Sequence, residues 1–168
     1  MRTLLLSAPR VRRTVTRLAY EVRERNRGAD SLLVFGLKHR GLALARLMAE
    51  ALEEVEPVSV PVHGLDIAPY RDDRDEPIAT LAPGDGPDVE GRDVVIVDDV
   101  LFTGRTARAA LDAVVRLGRP RSIQLAVLVD RGHREVPIQP DFVGRVIPTK
   151  HAERVVVEVE TPSVYLEE

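Results

Sequence analysis

The 168-residue sequence predicts an α/β fold, a mostly parallel sheet flanked by helices. Two patterns carry that reading. Short, unbroken apolar runs alternate with longer segments of helical period, as buried strands joined by crossover helices do. The stretch VVIVDDVLFTGRTARAAL, residues 94–111, passes from such a run through a tight loop into a helix. In sheets of this kind ligands gather beyond the carboxyl ends of the strands.

Residues 9–27 read as an amphipathic helix, with Ser7 as cap, Pro9 in the first turn and Gly28 past the end. At about 100° per residue, Val11, Val15, Leu18, Ala19 and Val22 share one face, and Arg13, Thr16, Arg17, Tyr20, Arg23 and Arg27 share another. A buried strand follows at 32–37. A second helix spans 41–55, with Leu44, Ala45, Met48 and Leu52 as its core positions. Residues 58–62 make a short strand. Residues 70–91 hold YRDDRDEP and PGDGP and are too polar and turn-rich for core, which suggests a flexible lid. A strand at 94–97, a helix at 103–117 and a strand at 123–129 come next. Residues 131–148 carry Gly132, Pro137, Pro140, Gly144 and Pro148 and read as irregular. Residues 155–160 alternate apolar and acidic side chains, the pattern of an exposed edge strand.

Length and composition fit a single domain with a real core, 44% of it hydrophobic. Only 4% of residues are aromatic, so Val, Leu, Ile and Ala must build that core. Cysteine is absent, which excludes disulfides, thiolate metal sites and a thiol nucleophile, and suits a cytoplasmic protein. The apolar run near Met1 is too short for a signal or membrane segment. The net charge of −3 gives no general pull toward nucleic acid, yet residues 10–27 hold seven arginines against Glu21 and Glu24.

The chemistry concentrates at two strand ends. In the loop 102–106, Gly104 lets the backbone approach an anion, the Thr103 and Thr106 hydroxyls donate, and Arg105 adds backbone or side chain. The following helix start offers free N–H groups to a phosphate monoester. The Gly-Lys-Ser/Thr of a nucleotide-binding P-loop is missing. By itself this loop fits an unliganded capped turn equally well. Asp98 and Asp99 tilt the balance, because adjacent like charges at a buried strand end need cations or hydroxyl donors to stay ionised. Ribose hydroxyls and Mg²⁺ supply both. Lys38, His39, Arg40 and Gly41 occupy the other strand end, where cations and exposed amides suit a polyanion, although alone they would pass for a solvated basic turn.

The segment VVIVDDVLFTGRT resembles the phosphoribosyl-pyrophosphate motif of type I phosphoribosyltransferases. RRTVTRLAYEVRERN, FGLKHRGLALARLMAEAL, GLDIAPYRDD and LAVLVDRGHREVPIQPDFVGRVIPT further resemble the bacterial pyrimidine operon attenuation regulators, which bind messenger RNA and act as uracil phosphoribosyltransferases. The resemblance covers nearly the whole chain, in order. It implies the type I fold with a small irregular hood at 131–150 and a lid that Tyr70, Arg71, Asp72 and Asp73 begin. Asp98 and Asp99 would hold the ribose, partly through Mg²⁺. Thr103, Gly104, Arg105 and Thr106 would cradle the 5′-phosphate, and Lys38, His39, Arg40 and Gly41 the pyrophosphate. Arg40, Asp98 and Asp99 would act in catalysis, with uracil against 130–148. Substrates and products would be phosphoribosyl pyrophosphate, uracil and UMP.

The same resemblance implies contacts to pyrimidine leader mRNA. On the first helix the candidates are Arg13, Thr16, Arg17, Tyr20 and Arg27. Further along they are Arg134, Arg145, Lys150 and His151. A homodimer or higher homo-oligomer and no membrane association are also implied. Several positions depart from the family pattern. Tyr20 replaces a histidine, Lys150-His151-Ala152 replaces Ser-Lys/Arg-Ser, Gly144-Arg145-Val146 stands where Gly-Lys-Asn is usual, and His39 stands where threonine is common. A salvage enzyme without RNA binding, and a nucleotide-binding regulator with little turnover, are the rival readings.

Overall fold

A computed structural model describes residues 1–73 and 86–168. Chain order is β1 (Arg2–Leu6), α1 (Ala8–Asn26), β2 (Leu32–Leu37), α2 (Lys38–Glu53), β3 (Val62–Leu65), a 3-10 turn (Ala68–Tyr70), β4 (Asp93–Leu101), α3 (Arg105–Leu117), β5 (Ser122–Asp130), β6 (Phe142–Val146), β7 (Arg154–Glu158) and β8 (Ser163–Glu167). Five strands form a parallel sheet in the order β3-β2-β4-β5-β6, and a second, antiparallel sheet has the order β1-β8-β7.

Both faces of the parallel sheet are buried, and strand alternation divides the core. Val34, Val95, Val97 and Leu128 pack with α1 and α2, while Leu33, Phe35, Val94, Ile96 and Val127 pack with α3. The apolar stripe of α1 is the expected one: Val11, Val15, Leu18, Ala19 and Val22 are all buried. So are Leu44, Ala45, Met48 and Leu52 of α2. Ser7 holds the N-cap position, but its side chain makes no capping hydrogen bond. The other end is closed by left-handed Arg27 and by Gly28, whose N–H donates to the Arg23 carbonyl at 3.0 Å.

Several boundaries differ from the sequence pattern, each for a physical reason. Helix α2 starts at Lys38, because Lys38 takes a left-handed φ of 54° and turns directly out of β2. The polar triplet before Gly41 hid that first turn. The expected strand at 58–62 is displaced to β3, which among the described residues pairs with β2 alone at the sheet edge. Strand β4 continues through both acids to Leu101, held by its ladder to β5, which reaches Leu101↔Asp130. Helix α3 begins at Arg105, because Gly104 before it is left-handed.

The irregular region expected at 131–148 contains β6, the fifth parallel strand. Phe142 is buried there, and the Asp141 carboxylate accepts from the Leu125 N–H at 2.8 Å to start the pairing. Residues 155–160 contribute an edge strand, but to the small antiparallel sheet, which both ends of the chain build. Leu6, Val157 and Val164 seat that sheet on the α1 side of the core. Of the segment 70–91, residues 74–85 lie outside the described residues.

Candidate functional site

Alternation along β4 aims its two acids in different directions. Asp98 continues the α3 face and lines a cavity of about 400 Å³ with Arg71, Phe102, residues 103–106 and Glu135. Asp99 continues the α2 face and lines one of about 760 Å³ with Lys38, His39, Arg40 and residues 156–161. The sequence suggested two acids side by side on one sugar. The structure makes them a ridge with one cavity on each flank. Asp98 is 5% exposed. Burial, and then the charge of Asp99, push its carboxyl well above the usual carboxylate range, against a smaller pull from Lys38. Its oxygen accepts from the Asp99 N–H at 2.9 Å, and Asp99 accepts from the Val100 N–H at 2.9 Å.

Each cavity meets a helix start. At the head of α2, Leu37 occupies the cap position with no side-chain hydrogen bond, and the first turn carries no acid. Lys38, His39 and Arg40 form that turn and are exposed. At the head of α3, Gly104 is the cap with φ 89°, again without a side-chain cap or a first-turn acid. Only Thr103 Oγ1 reaches back, accepting from the Arg105 N–H at 3.3 Å. Uncapped N-termini expose N–H groups and a positive dipole end, the arrangement that binds anions. Strands β2 and β4 are neighbours, with Gly36 in register with Val97, so both helix starts converge on one sheet edge from opposite faces.

A β-carbon at Gly104 would meet Val136 Cγ2 at 2.9 Å and Ile138 Cβ at 3.1 Å, so glycine is required by both conformation and space. The loop pressing on it is pinned by its own backbone: the Glu135 N–H donates to the Thr103 carbonyl at 2.9 Å. The lid candidates come to the same cavity. Arg108 Nη2 donates to the Tyr70 carbonyl at 2.9 Å, and Arg105 Nη1 donates to Asp72 Oδ2 at 2.9 Å. Arg71 and Asp73 line the cavity, with Arg71 Nε donating to Asp73 at 2.8 Å.

Among the described residues no group of three or more histidine or acidic side chains is placed to hold a metal. Two carboxylates at a cavity rim fit Mg²⁺ of a particular kind, one that keeps waters and takes oxygens from a bound phosphate ester. Asp98 and Asp99 are the residues present that meet that description.

The RNA candidates fall into separate places. Arg13, Arg17 and Arg145 line a groove of about 380 Å³ together with Arg10 and Thr14. Arg17 also ties α1 to β6, donating to the Gly144 carbonyl at 2.6 Å, and pairs with Glu21 at 2.7 Å. Tyr20 is exposed and Thr16 half-buried on the same helix, with exposed Arg27 at its far end. Lys150 is exposed, and the His151 ring lies 5.3 Å from Phe102 and 5.4 Å from His133. Arg134 turns inward and donates to the Ile138 and Phe102 carbonyls and to Asp130. The sequence reading passed over Arg10, whose spacing to Arg13 and Arg17 was a legible signal. It gave no site role to Phe102, Glu135 or the 156–161 wall.

An α/β sheet with two helix starts that carry no acid, flanking a pair of carboxyl groups, suits a ligand with an anionic group at each end. The family model of the phosphoribosyl transferase domain matches residues 2–160, and the chain belongs to that family. Its relatives narrow the branch. It is 51% identical over 158 residues to the bifunctional protein pyrR of Enterococcus faecalis, covering 93% of this chain and 89% of that one. It is 52% identical over 160 residues to the bifunctional protein PyrR of Streptomyces coelicolor, covering 92% and 82%. The fold also matches the hypoxanthine phosphoribosyltransferase of Trypanosoma cruzi, with a TM-score of 0.74 at 19% identity over 98% of this chain and 95% of that one. At that identity the likeness is one of fold.

Proposed function

We infer that the chain is a pyrimidine-responsive regulator that binds pyr operon mRNA to promote transcription attenuation, and that it also converts uracil and phosphoribosyl pyrophosphate to UMP and pyrophosphate. The observation that carries the enzymatic half is the pair of uncapped helix starts on either side of Asp98 and Asp99. One substrate with a phosphate at one end and a pyrophosphate at the other would use both helix starts. Half-identity to proteins named bifunctional, over nine-tenths of the chain, supports the regulatory half.

In this reading residues 103–106 take the 5′-phosphate through the α3 N–H groups and the Thr103 and Thr106 hydroxyls. Lys38, His39 and Arg40 take the pyrophosphate in the larger cavity. Asp98 and Asp99 meet the ribose from the ridge between the two cavities. As the C1′–oxygen bond to pyrophosphate lengthens, positive charge grows on the sugar and negative charge on the leaving group. The carboxylates face the first, and the α2 start with Arg40 and Lys38 faces the second. Uracil then bonds to C1′ through N1, with loss of the N1 proton. Bound Mg²⁺ would neutralise pyrophosphate charge and help fix the ribose hydroxyls. Arg71, Asp73 and Glu135 line the smaller cavity and would limit the access of water to C1′.

The groove between α1 and β6 is the proposed RNA surface, with Arg10, Arg13 and Arg145 toward phosphates. UMP is the natural effector, since it is the product of the same site. A homodimer or higher homo-oligomer belongs to the same proposal.

Steady-state turnover with a panel of nucleobases, phosphoribosyl pyrophosphate and Mg²⁺ tests the enzyme, and uracil should dominate. A gel shift with the organism's own pyrimidine leader RNA, with and without UMP, tests the regulator. Turnover without any shift would leave a salvage enzyme.

A further inference from the structure

The Arg105 side chain lines the smaller cavity beside Thr103, Gly104 and Thr106, but its donors are engaged by carboxylates. Its guanidinium is shared by two carboxylates from different segments: Nη1 donates to Asp72 Oδ2 at 2.9 Å and Nε donates to Glu135 Oε2 at 2.9 Å. The backbone near each carboxylate is anchored by a contact that does not involve Arg105. The Glu135 N–H donates to the Thr103 carbonyl at 2.9 Å. The Arg108 side chain donates to the Tyr70 carbonyl at 2.9 Å, two residues before Asp72.

We propose that Arg105 is a phosphate-binding side chain held in reserve by Asp72 and Glu135, and that an arriving 5′-phosphate takes the guanidinium from them. The proposal rests on the phosphoribosyl reading above and adds the residues that set the affinity of its phosphate cradle. Three features support it. Arg105 opens α3 directly after Gly104, so a short rotation carries its fork toward the N–H groups that would hold the anion. All three partners are substantially exposed, at 37%, 41% and 48%, and exposed ion pairs exchange partners at little cost. A phosphate dianion accepts bidentate hydrogen bonds from guanidinium more strongly than a solvated carboxylate does.

Asp72 also has a second partner waiting. Arg108 Nε is buried without a hydrogen-bond partner and lies 3.7 Å from the same Asp72 oxygen. A small shift of Asp72 away from Arg105 would satisfy that donor. The carboxylate therefore has two positions, on Arg105 when the cradle is empty and on Arg108 when it is filled. Residues 70–73 thereby register whether a phosphate is bound.

The test is a calorimetric double-mutant cycle on the full chain, with ribose 5-phosphate as probe. Glu135→Gln should bind the probe about threefold to tenfold more tightly than the parent, the gain expected when a charged hydrogen bond is released to the ligand. Arg105→Ala should weaken binding, and adding Glu135→Gln to it should then change affinity by less than about twofold. Damage to the fold does not tighten binding, so the gain separates this role from a structural one. An unchanged or weaker Glu135→Gln, beside a parent that binds, overturns the reserve role and leaves the phosphate site standing. An equal gain with and without Arg105 also overturns it, since that is simple charge repulsion. A parent that does not bind ribose 5-phosphate at all overturns the phosphoribosyl site together with this proposal.

Discussion

Gly41 of α2 packs directly against Val97 of β4, on the flank proposed to take pyrophosphate. A β-carbon on Gly41 would stand 2.6 Å from the Val97 carbonyl oxygen. Helix α2 therefore packs backbone to backbone on β4, one residue before Asp98. Gly41→Ala must push that helix start away from the strand. The expected cost is about 1–3 kcal/mol by denaturant unfolding, typical of overpacking. The KM for phosphoribosyl pyrophosphate should rise about tenfold, as one mispositioned anion contact implies. A variant with the parent's KM would mean that the α2 start does not touch substrate.

Asp98 is buried at a cost to stability. Its raised pKa means that the folded chain binds a proton more readily than the unfolded chain. Stability from this group therefore falls as pH rises from the unfolded value of about 3.9 up through the raised folded value. Asp98→Asn should melt above the parent at pH 8, with the difference closing toward acid pH. Its turnover should fall about a hundredfold or more, as when a preorganised charge is removed from a transition state. A melting difference that widened toward acid pH would contradict the burial argument.

Asp93, at the opposite end of the same strand, has the reverse sign. Arg121, Ser31 and Ser122 all donate to it and hold it well below the usual carboxylate range. Its contribution is present above the unfolded pKa of about 3.9 and is lost as pH falls through the folded value. Asp93→Asn should lose about 1.5–3 kcal/mol at neutral pH, the value of buried hydrogen bonds to a charge. The gap should close below about pH 4, and kinetic constants at 25 °C should not move.

The α1–β6 groove predicts how RNA affinity responds to salt. Arg10→Ala, Arg13→Ala and Arg145→Ala should each weaken binding uniformly across leader sequences and lower the salt slope by about one. Uracil turnover should stay at the parent's level in all three. Arg134→Ala should behave differently and perturb the base-side loop, because its donors are spent on Asp130, Phe102 and Ile138. Unchanged slopes for the first three variants would remove the groove from the RNA surface.

Local periodicity carried much of this fold. The buried stripe of α1, the α2 core positions and the three central strands were all visible, because burial on a helix or strand repeats at short range. Strands β1 and β8 were not, since Leu4 pairs with Tyr165 from the other end of the chain. Strand β6 was masked by Pro140, Gly144 and Pro148, which mark its ends and its close packing on Leu128 rather than a loop. In the site, residue types were legible and directions were not. That Asp98 and Asp99 open onto different cavities follows only once β4 is known to run on through both. The partners of Arg105 lie 33 and 30 residues away in sequence, so only the fold pairs them.

The central claim is that the edge formed by β2 and β4 binds an activated ribose between two anion sites. Calorimetric titration of the intact chain with phosphoribosyl pyrophosphate and Mg²⁺ tests it most directly, beside Asp99→Asn as control. The account predicts saturable one-site binding to the parent, weakened at least about tenfold in the variant by loss of a charge-assisted contact. A folded parent that gives no binding heat at any of several temperatures, or a variant that binds as the parent does, would contradict it.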